Sequence, residues 1–205
     1  MPPISASSIR FFGVSNMKLR NSLFAIVAAA GLVSLASFDA CAADGTIQIS
    51  GTISDTTCSL NGTATGSPTD YGVLLPTVTA GALASQGDAA GMSRASDIRM
   101  VLSGCSGGAT RAVARFENGP TVDQETGFLK NMAGAGAAQN VEVRLLNSKL
   151  APINIVTGAN NDVAGDGAEI VNGAAVLQYF AQYYATGKAQ AGNVVTSVQY
   201  TMQYQ

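Results

Sequence analysis

Two segments, one near each end of the chain, alternate between apolar and polar residues, and this period of two constrains the fold more than any other feature. The apolar or small positions near the amino end are Gly45, Ile47, Ile49, Gly51 and Ile53. Those at the carboxyl end are Val198, Tyr200, Met202 and Tyr204, just before Gln205. Such alternation predicts strands with one buried and one exposed face. A long alternating strand at the terminus is expected to be central to a sheet.

The segments between these two ends predict a protein made of many short strands. Residues of β-type composition occupy 71–75, 97–102, 111–116, 141–146, 153–156, 176–184 and 194–204. Turn pairs such as Asn61-Gly62 and Asn172-Gly173 separate them. The small residues of 79–93 allow one helical turn, and 133–138 reads as a loop. Because 47% of the residues are hydrophobic and only 12% are charged, a disordered chain is excluded. We therefore predict an all-β sandwich.

The first 42 residues have the organisation of a secretory signal peptide. Lys18 and Arg20 precede an apolar run over 23–35, and a small-residue triplet at 40–42 offers a cleavage site. We expect residues 1–42 to be removed, with a possible translation start at Met17. Cys41 raises the alternative of a lipid anchor, which the residues before it disfavour because Asp39 and Phe38 do not fit a lipobox.

Two cysteines, Cys58 and Cys105, remain after this cleavage. In an exported chain we expect them to form one disulfide, because the bacterial periplasm oxidises thiols. Two free, buried thiols are the alternative.

The sequence offers little for catalysis or cofactor binding. It has no histidine, so the commonest general base and metal ligand is missing. The paired acids Asp123/Glu125 and Asp162/Asp166 lie in polar loops without the spacing of a calcium loop. With a formal net charge of −2, nothing attracts nucleic acid. We expect no enzyme activity, no cofactor, no metal and no nucleic-acid partner.

Several segments, in their order and spacing, resemble the pilins of the chaperone–usher pathway, specifically the type 1 fimbrial major subunits. The segments are 45–53, which leads towards Cys58, 97–105, which ends on Cys105, 141–147, 180–187 and 198–205. Two single positions also fit: Tyr204 is the penultimate residue, and Gly192 is the fourteenth residue from the end. The resemblance covers nearly the whole of residues 43–205.

The resemblance implies an incomplete immunoglobulin-like sandwich, lacking its last strand and completed by a donor strand from a neighbouring subunit. Residues 43–54 would be the donor extension, with Gly45, Ile47, Ile49, Gly51 and Ile53 on the inserted face, and 55–205 the pilin domain. Gly192, Val198, Tyr200, Met202, Tyr204 and Gln205 would border the groove and bind the chaperone. The implied partners are identical or related subunits, a periplasmic chaperone and an outer-membrane usher.

These expectations describe a structural subunit of a cell-surface fimbria, exported through the periplasm, that supports adhesion. A minor or adaptor subunit of the same kind of fibre is the first alternative. A self-contained periplasmic protein with an immunoglobulin-like fold is the second, and it would fold as a stable monomer without a chaperone.

Overall fold

Ten strands and two short helices account for the regular structure of the described residues. The computed structural model describes residues 48, 57–64 and 66–205, so the predicted signal peptide and, apart from Gln48, the predicted donor segment lie outside the described residues. The strands are β1 Thr57–Leu60, β2 Ala89–Ala90, β3 Ile98–Ser106, β4 Arg111–Phe116, β5 Leu129–Lys130, β6 Gln139–Leu146, β7 Pro152–Ile153, β8 Ala168–Glu169, β9 Ala175–Gln190 and β10 Tyr200–Tyr204. A 3-10 helix spans Ala80–Leu83, and α1 spans Val163–Asp166.

The strands form two antiparallel sheets. The first has the order β1-β3-β9-β6-β5, with β2 also pairing with β9 and β7 with β6. The second has the order β10-β4-β8. Alternation dictates which side chains enter the core: in β3, Ile98, Met100 and Leu102 are buried while Arg99 and Ser103 are exposed. The predicted all-β sandwich is confirmed.

A small polar network crosses the core between the two sheets. The hydroxyl of Tyr179, on β9, accepts a hydrogen bond from the Ala114 backbone N–H of β4 at 3.0 Å and donates to Asn161 Oδ1 at 3.4 Å. Asn161 Nδ2 in turn donates to the Ala114 carbonyl at 2.9 Å. Burial raises the pKa of Tyr179 to about 12, so its hydroxyl keeps its proton at neutral pH. These bonds satisfy polar groups that would otherwise be buried without partners.

The single disulfide and the hairpin turns follow the sequence prediction. Cys58 of β1 is bonded to Cys105 of β3, which fastens the start of the described domain to the first sheet. Asn172 and Gly173 both have positive φ, 51° and 73°, and Val171 pairs with Ala174 across them. Consecutive positive φ angles are what a type I′ hairpin turn requires, and an Asn-Gly pair supplies them at low cost.

Most predicted strands are confirmed, with two informative differences. Strand 111–116 has the predicted bounds, whereas β3 and β9 continue beyond the predicted ends to Ser106 and Gln190. Residues 71–75 and 194–199 are not in regular strands, although their side chains alternate between inward and outward as in strands. The prediction that the terminal strand is central to a sheet is wrong for the described chain, because β10 pairs only with β4 and forms an edge.

Replacing Gly192 with Ala tests why a glycine occupies this position. A Cβ there would lie 2.5 Å from the carbonyl carbon of Ala137 and 2.6 Å from the Gly136 carbonyl oxygen, and it would also overlap the Ala138 nitrogen. Because these are backbone atoms, the loop must shift, and we expect Gly192→Ala to cost about 1–3 kcal/mol of unfolding free energy. Urea denaturation measures the change.

The matched control for this substitution is Gly134→Ala in the neighbouring loop. No atom lies within 4 Å of a Cβ built at Gly134. We expect its unfolding free energy to stay within about 0.5 kcal/mol of the wild type. Equal effects of the two substitutions would show that the steric argument is wrong.

Candidate strand-binding groove

An open groove of about 1230 Å³ runs along the side of the domain where the two sheets are not joined. Residues 66–75 form its first wall, and residues 194–204 form its second wall. Its floor consists of apolar side chains of the first sheet: Ile98, Met100, Leu129, Val143, Leu145 and Ala181. Since all six belong to the buried hydrophobic core, the groove opens directly onto that core.

The second wall has one paired edge and one unpaired edge. The backbone groups of its odd-numbered residues make hydrogen bonds on the side away from the groove. The Val195 carbonyl accepts from Met132 N at 2.7 Å, and the Gln199 carbonyl accepts from Glu117 N at 2.8 Å. In β10 the pattern continues through pairing with β4. Along an extended chain successive backbone groups point to opposite sides, so the N–H and C=O groups of the even-numbered residues point towards the groove.

The first wall is almost free of backbone hydrogen bonds. Tyr71, Val73 and Leu75 turn inwards and pack against the core, while the Leu74 side chain between them is 89% exposed. Among the described residues, no backbone–backbone hydrogen bond involves residues 68–78. This absence explains why the predicted strand 71–75 is not a strand in the described structure: its side chains follow the pattern, but no described strand pairs with it.

Two tyrosines connect the walls. The Tyr200 hydroxyl donates to the Thr69 carbonyl oxygen at 2.6 Å, and the Tyr71 and Tyr200 rings meet edge-on with centroids 6.0 Å apart. Asn61 holds Tyr71 in turn, because its Nδ2 donates to the Tyr71 hydroxyl at 2.8 Å while its Oδ1 accepts from the Val101 N–H of β3. The first wall is thus fixed through side chains.

The floor of the groove is apolar, and none of its described lining residues is positively charged. The charged residues among its lining are Asp70 and Glu117. Burial and the neighbouring Tyr200 raise the pKa of Tyr71 to about 12, against a smaller opposing effect of its hydrogen bond from Asn61. Burial, and Asp70, also raise the pKa of Tyr200. The hydroxyls of Thr69 and Thr196 are buried and have no hydrogen-bond partner in the described structure. A surface of this kind suits an uncharged, apolar ligand.

Four of the residues predicted to border the groove lie in it: Val198, Tyr200, Met202 and Tyr204. Gln205 lies beyond the groove lining, where its carbonyl oxygen accepts from the Arg111 N–H at 2.9 Å. Gly192 also lies outside the lining and faces the loop 136–138. The predicted donor residues Gly45, Ile47, Ile49, Gly51 and Ile53 lie outside the described residues.

Sequence reasoning missed the first wall as part of the site. Its signal was present, because Tyr71, Val73 and Leu75 alternate with exposed positions, but alternation alone does not tell which two strands flank a gap. Asn61 was assigned only to a turn, and its bonds to Tyr71 and Val101 give it a second role.

The loop acids have structural partners. Asp162 caps α1 by accepting hydrogen bonds from the N–H groups of Ala164 and Gly165. Asp123 accepts from the backbone of Thr126 and Glu125, which lowers its pKa. Across the described ranges, no three Asp, Glu, His or Cys side chains come together as a metal site, and no helix there is long and apolar enough to span a membrane.

Comparison with known proteins identifies the family. The family model of the type-1 fimbrial protein A (FimA) matches residues 75–205. The chain belongs to the type-1 fimbrial protein family. It is 38% identical over 179 residues to the major fimbrial subunit SMF-1 of Stenotrophomonas maltophilia, covering 84% of this chain and 99% of the relative. It is 37% identical over 180 residues to the F17 fimbrial protein of Escherichia coli, covering 85% and 96%.

A solved structure supports the fold of this fimbrial protein. The type I fimbria protein and antigen of Burkholderia pseudomallei aligns with a TM-score of 0.50 at 22% identity, over 74% of this chain and 97% of that one. The protein is therefore a structural subunit of a pilus, exported to the cell surface, in a family of structural proteins.

The tyrosines of the groove predict a loss of stability in alkali. An unfolded tyrosine has a pKa of about 10, whereas folding raises that of Tyr71 to about 12. The folded state therefore holds this proton more tightly, so the stabilisation is complete below pH 10 and is lost as the pH rises to 12. We expect the melting temperature to fall across this window, in step with tyrosinate absorbance.

Two substitutions separate the contributions to this alkaline transition. Tyr71→Phe should flatten the fall in melting temperature between pH 10 and 12. The remaining fall comes from the other tyrosines whose pKa burial raises: Tyr179, Tyr183, Tyr200 and Tyr204. Tyr184→Phe, on the outer face of β9 against Phe128, is the control. If Tyr71→Phe follows the wild-type curve at every pH, burial of its hydroxyl does not govern the transition.

Proposed function

We propose that the groove receives the segment 45–53 of a second copy of this chain, and that subunits polymerise through this exchange of strands. The observation that carries the proposal is that, in the described structure, both walls have unpaired backbone groups facing a groove whose floor is the apolar core. An extended strand carries hydrogen-bonding groups on both sides, so one segment between the two walls would pair with both. Addition of a strand to a free edge is a known mode of peptide recognition.

The chemistry of the segment matches that of the groove. Residues 45–53 contain no charged side chain, and in an extended conformation their period of two would put Ile47 and Ile49 on one face with Gly45 and Gly51. Burial of two isoleucines contributes roughly 3–6 kcal/mol, and each backbone hydrogen bond adds about 0.5–1.5 kcal/mol. The glycines allow the inserted backbone to approach the walls closely.

A chain that carries both a groove and a matching segment forms head-to-tail contacts. Such contacts join different surfaces of successive subunits and extend into an open fibre unless the rotation closes a ring. This property favours a repeating subunit of the fibre shaft over a terminating subunit, which would need no segment to donate.

The exposed groove also requires protection before assembly. Free sheet edges beside apolar surface promote aggregation. We therefore propose that a periplasmic chaperone covers the groove, that Val198, Tyr200, Met202 and Tyr204 bind it, and that an outer-membrane usher receives the subunit for exchange. Removal of residues 1–42 in the periplasm is part of this proposal.

A graft tests the occupant of the groove. Residues 45–53 are added after Gln205 through a flexible linker, so that the subunit completes its own sandwich. We expect the melting temperature to rise by roughly 6–24 °C, because burial of the two isoleucines adds roughly 3–6 kcal/mol and each kcal/mol corresponds to roughly 2–4 °C in a domain of this size.

The control graft carries Ile47→Ser and Ile49→Ser in the added copy, with the linker unchanged. It should melt near the temperature of the ungrafted chain. If both grafts melt alike, the apolar face of the segment does not enter the groove, and the proposed mode of polymerisation is wrong.

Coexpression tests the chaperone. The chain secreted alone should be degraded or aggregate, and a fimbrial chaperone expressed with it should recover a soluble one-to-one complex. Met202→Asp places a charge on the second wall and should abolish that complex, whereas Gln203→Asp on the opposite face of β10 should retain it. A stable, soluble monomer without chaperone would argue instead for a self-contained domain.

A further inference from the structure

One hydrogen bond spans the groove from wall to wall. The Tyr200 side chain belongs to the second wall, and its hydroxyl reaches the Thr69 carbonyl of the first wall at 2.6 Å. In the described structure this is the one hydrogen bond that any main-chain atom of residues 68–75 makes. The Thr69 carbonyl is therefore turned towards the groove, and its oxygen accepts a hydrogen bond from a side chain on the opposite wall.

The same carbonyl is a group that an inserted strand needs. A strand between the walls must offer its N–H groups to the inward carbonyls of the first wall, because a buried carbonyl without a partner costs free energy. Tyr200 already donates to one of these carbonyls. The Tyr200 ring also lies against the Tyr71 ring, so its side chain occupies part of the path between the walls.

Asn61 and β3 make this arrangement rigid. Tyr71 is held by Asn61 at 2.8 Å, and Asn61 is held by the Val101 N–H at 2.7 Å. The first wall therefore depends on a short chain of side chains rather than on a sheet ladder. Breaking the bond at Thr69 frees the wall at that point without disturbing its attachment through Asn61.

We propose that the bond between Tyr200 and Thr69 is a latch across the groove, which an entering strand has to open before it can pair with both walls. The inference rests on the proposed function, which identifies the entering strand as residues 45–53. Tyr200 is in this sense a positioning residue: it holds the first wall in place while the groove is empty, and it slows strand entry.

The test measures how fast a strand enters. A fluorescent peptide with the sequence of residues 45–53 is mixed with the full chain, at concentrations where the chain elutes as a monomer, and anisotropy follows binding. Tyr200→Phe removes the hydroxyl and keeps the ring. We expect its association rate constant to be about twofold to tenfold higher than that of the wild type, the factor that corresponds to one net hydrogen bond.

Tyr184→Phe is the matched control. Tyr184 lies on β9 outside the groove lining, with its ring against Phe128, so this variant also removes one tyrosine hydroxyl but leaves both walls untouched. We expect a rate constant equal to that of the wild type. If Tyr184→Phe accelerates binding as much as Tyr200→Phe does, general loosening of the domain explains the effect and the latch is refuted.

The remaining outcomes separate the latch from the proposed function. Binding at the wild-type rate by Tyr200→Phe overturns the latch and leaves strand addition intact. Failure of the peptide to bind any variant overturns strand addition itself, and the latch with it. Amide hydrogen exchange without peptide gives a second readout: residues 68–75 should exchange faster in Tyr200→Phe, and unchanged exchange would contradict a role in holding this wall.

Discussion

The structure depends on one constraint: every buried backbone N–H and C=O group needs a partner, and the described part of this chain leaves a row of them unpaired on two facing edges. The first wall makes no backbone–backbone hydrogen bond in its central part, and the second wall makes them on one side only. The core floor between the walls, with Met100 and Leu145, is apolar. Within the described residues the groove side of both walls has no backbone partner, and the proposed function supplies the missing strand from a second molecule.

The side chains around the gap explain how the incomplete sandwich keeps its shape. The Cys58–Cys105 disulfide fixes the strand that precedes the first wall, and the Asn61 side chain replaces ladder hydrogen bonds with two of its own. Across the core, Tyr179 and Asn161 tie the two sheets together at Ala114. These contacts are independent of any inserted strand. They account for a groove with defined walls rather than a collapsed edge.

Much of this was predictable from residue patterns, and the parts that were not share a physical cause. Residues of β-type composition located β4 to the residue and most of β3, β6 and β9, because their apolar faces meet a core within the same chain. The same composition predicted a strand at 71–75 that the described structure does not pair, and alternation at the terminus predicted a central strand that is an edge. A pattern records which face is buried. It does not record whether the hydrogen-bonding partner is in the same molecule.

The two differences therefore carry information about function. Val198 and Tyr200 have the pattern of a strand buried between neighbours, yet β10 has a neighbour on one side only. If the sequence is matched to the assembled fibre rather than to the free subunit, both predictions become correct once a strand lies between the walls. The residue that fits this account least is Tyr200, whose hydroxyl is bonded across the space that such a strand would fill. Under the proposed function, a side chain in that position is matched to the empty groove, so the sequence would serve two states, the subunit before assembly and the assembled one.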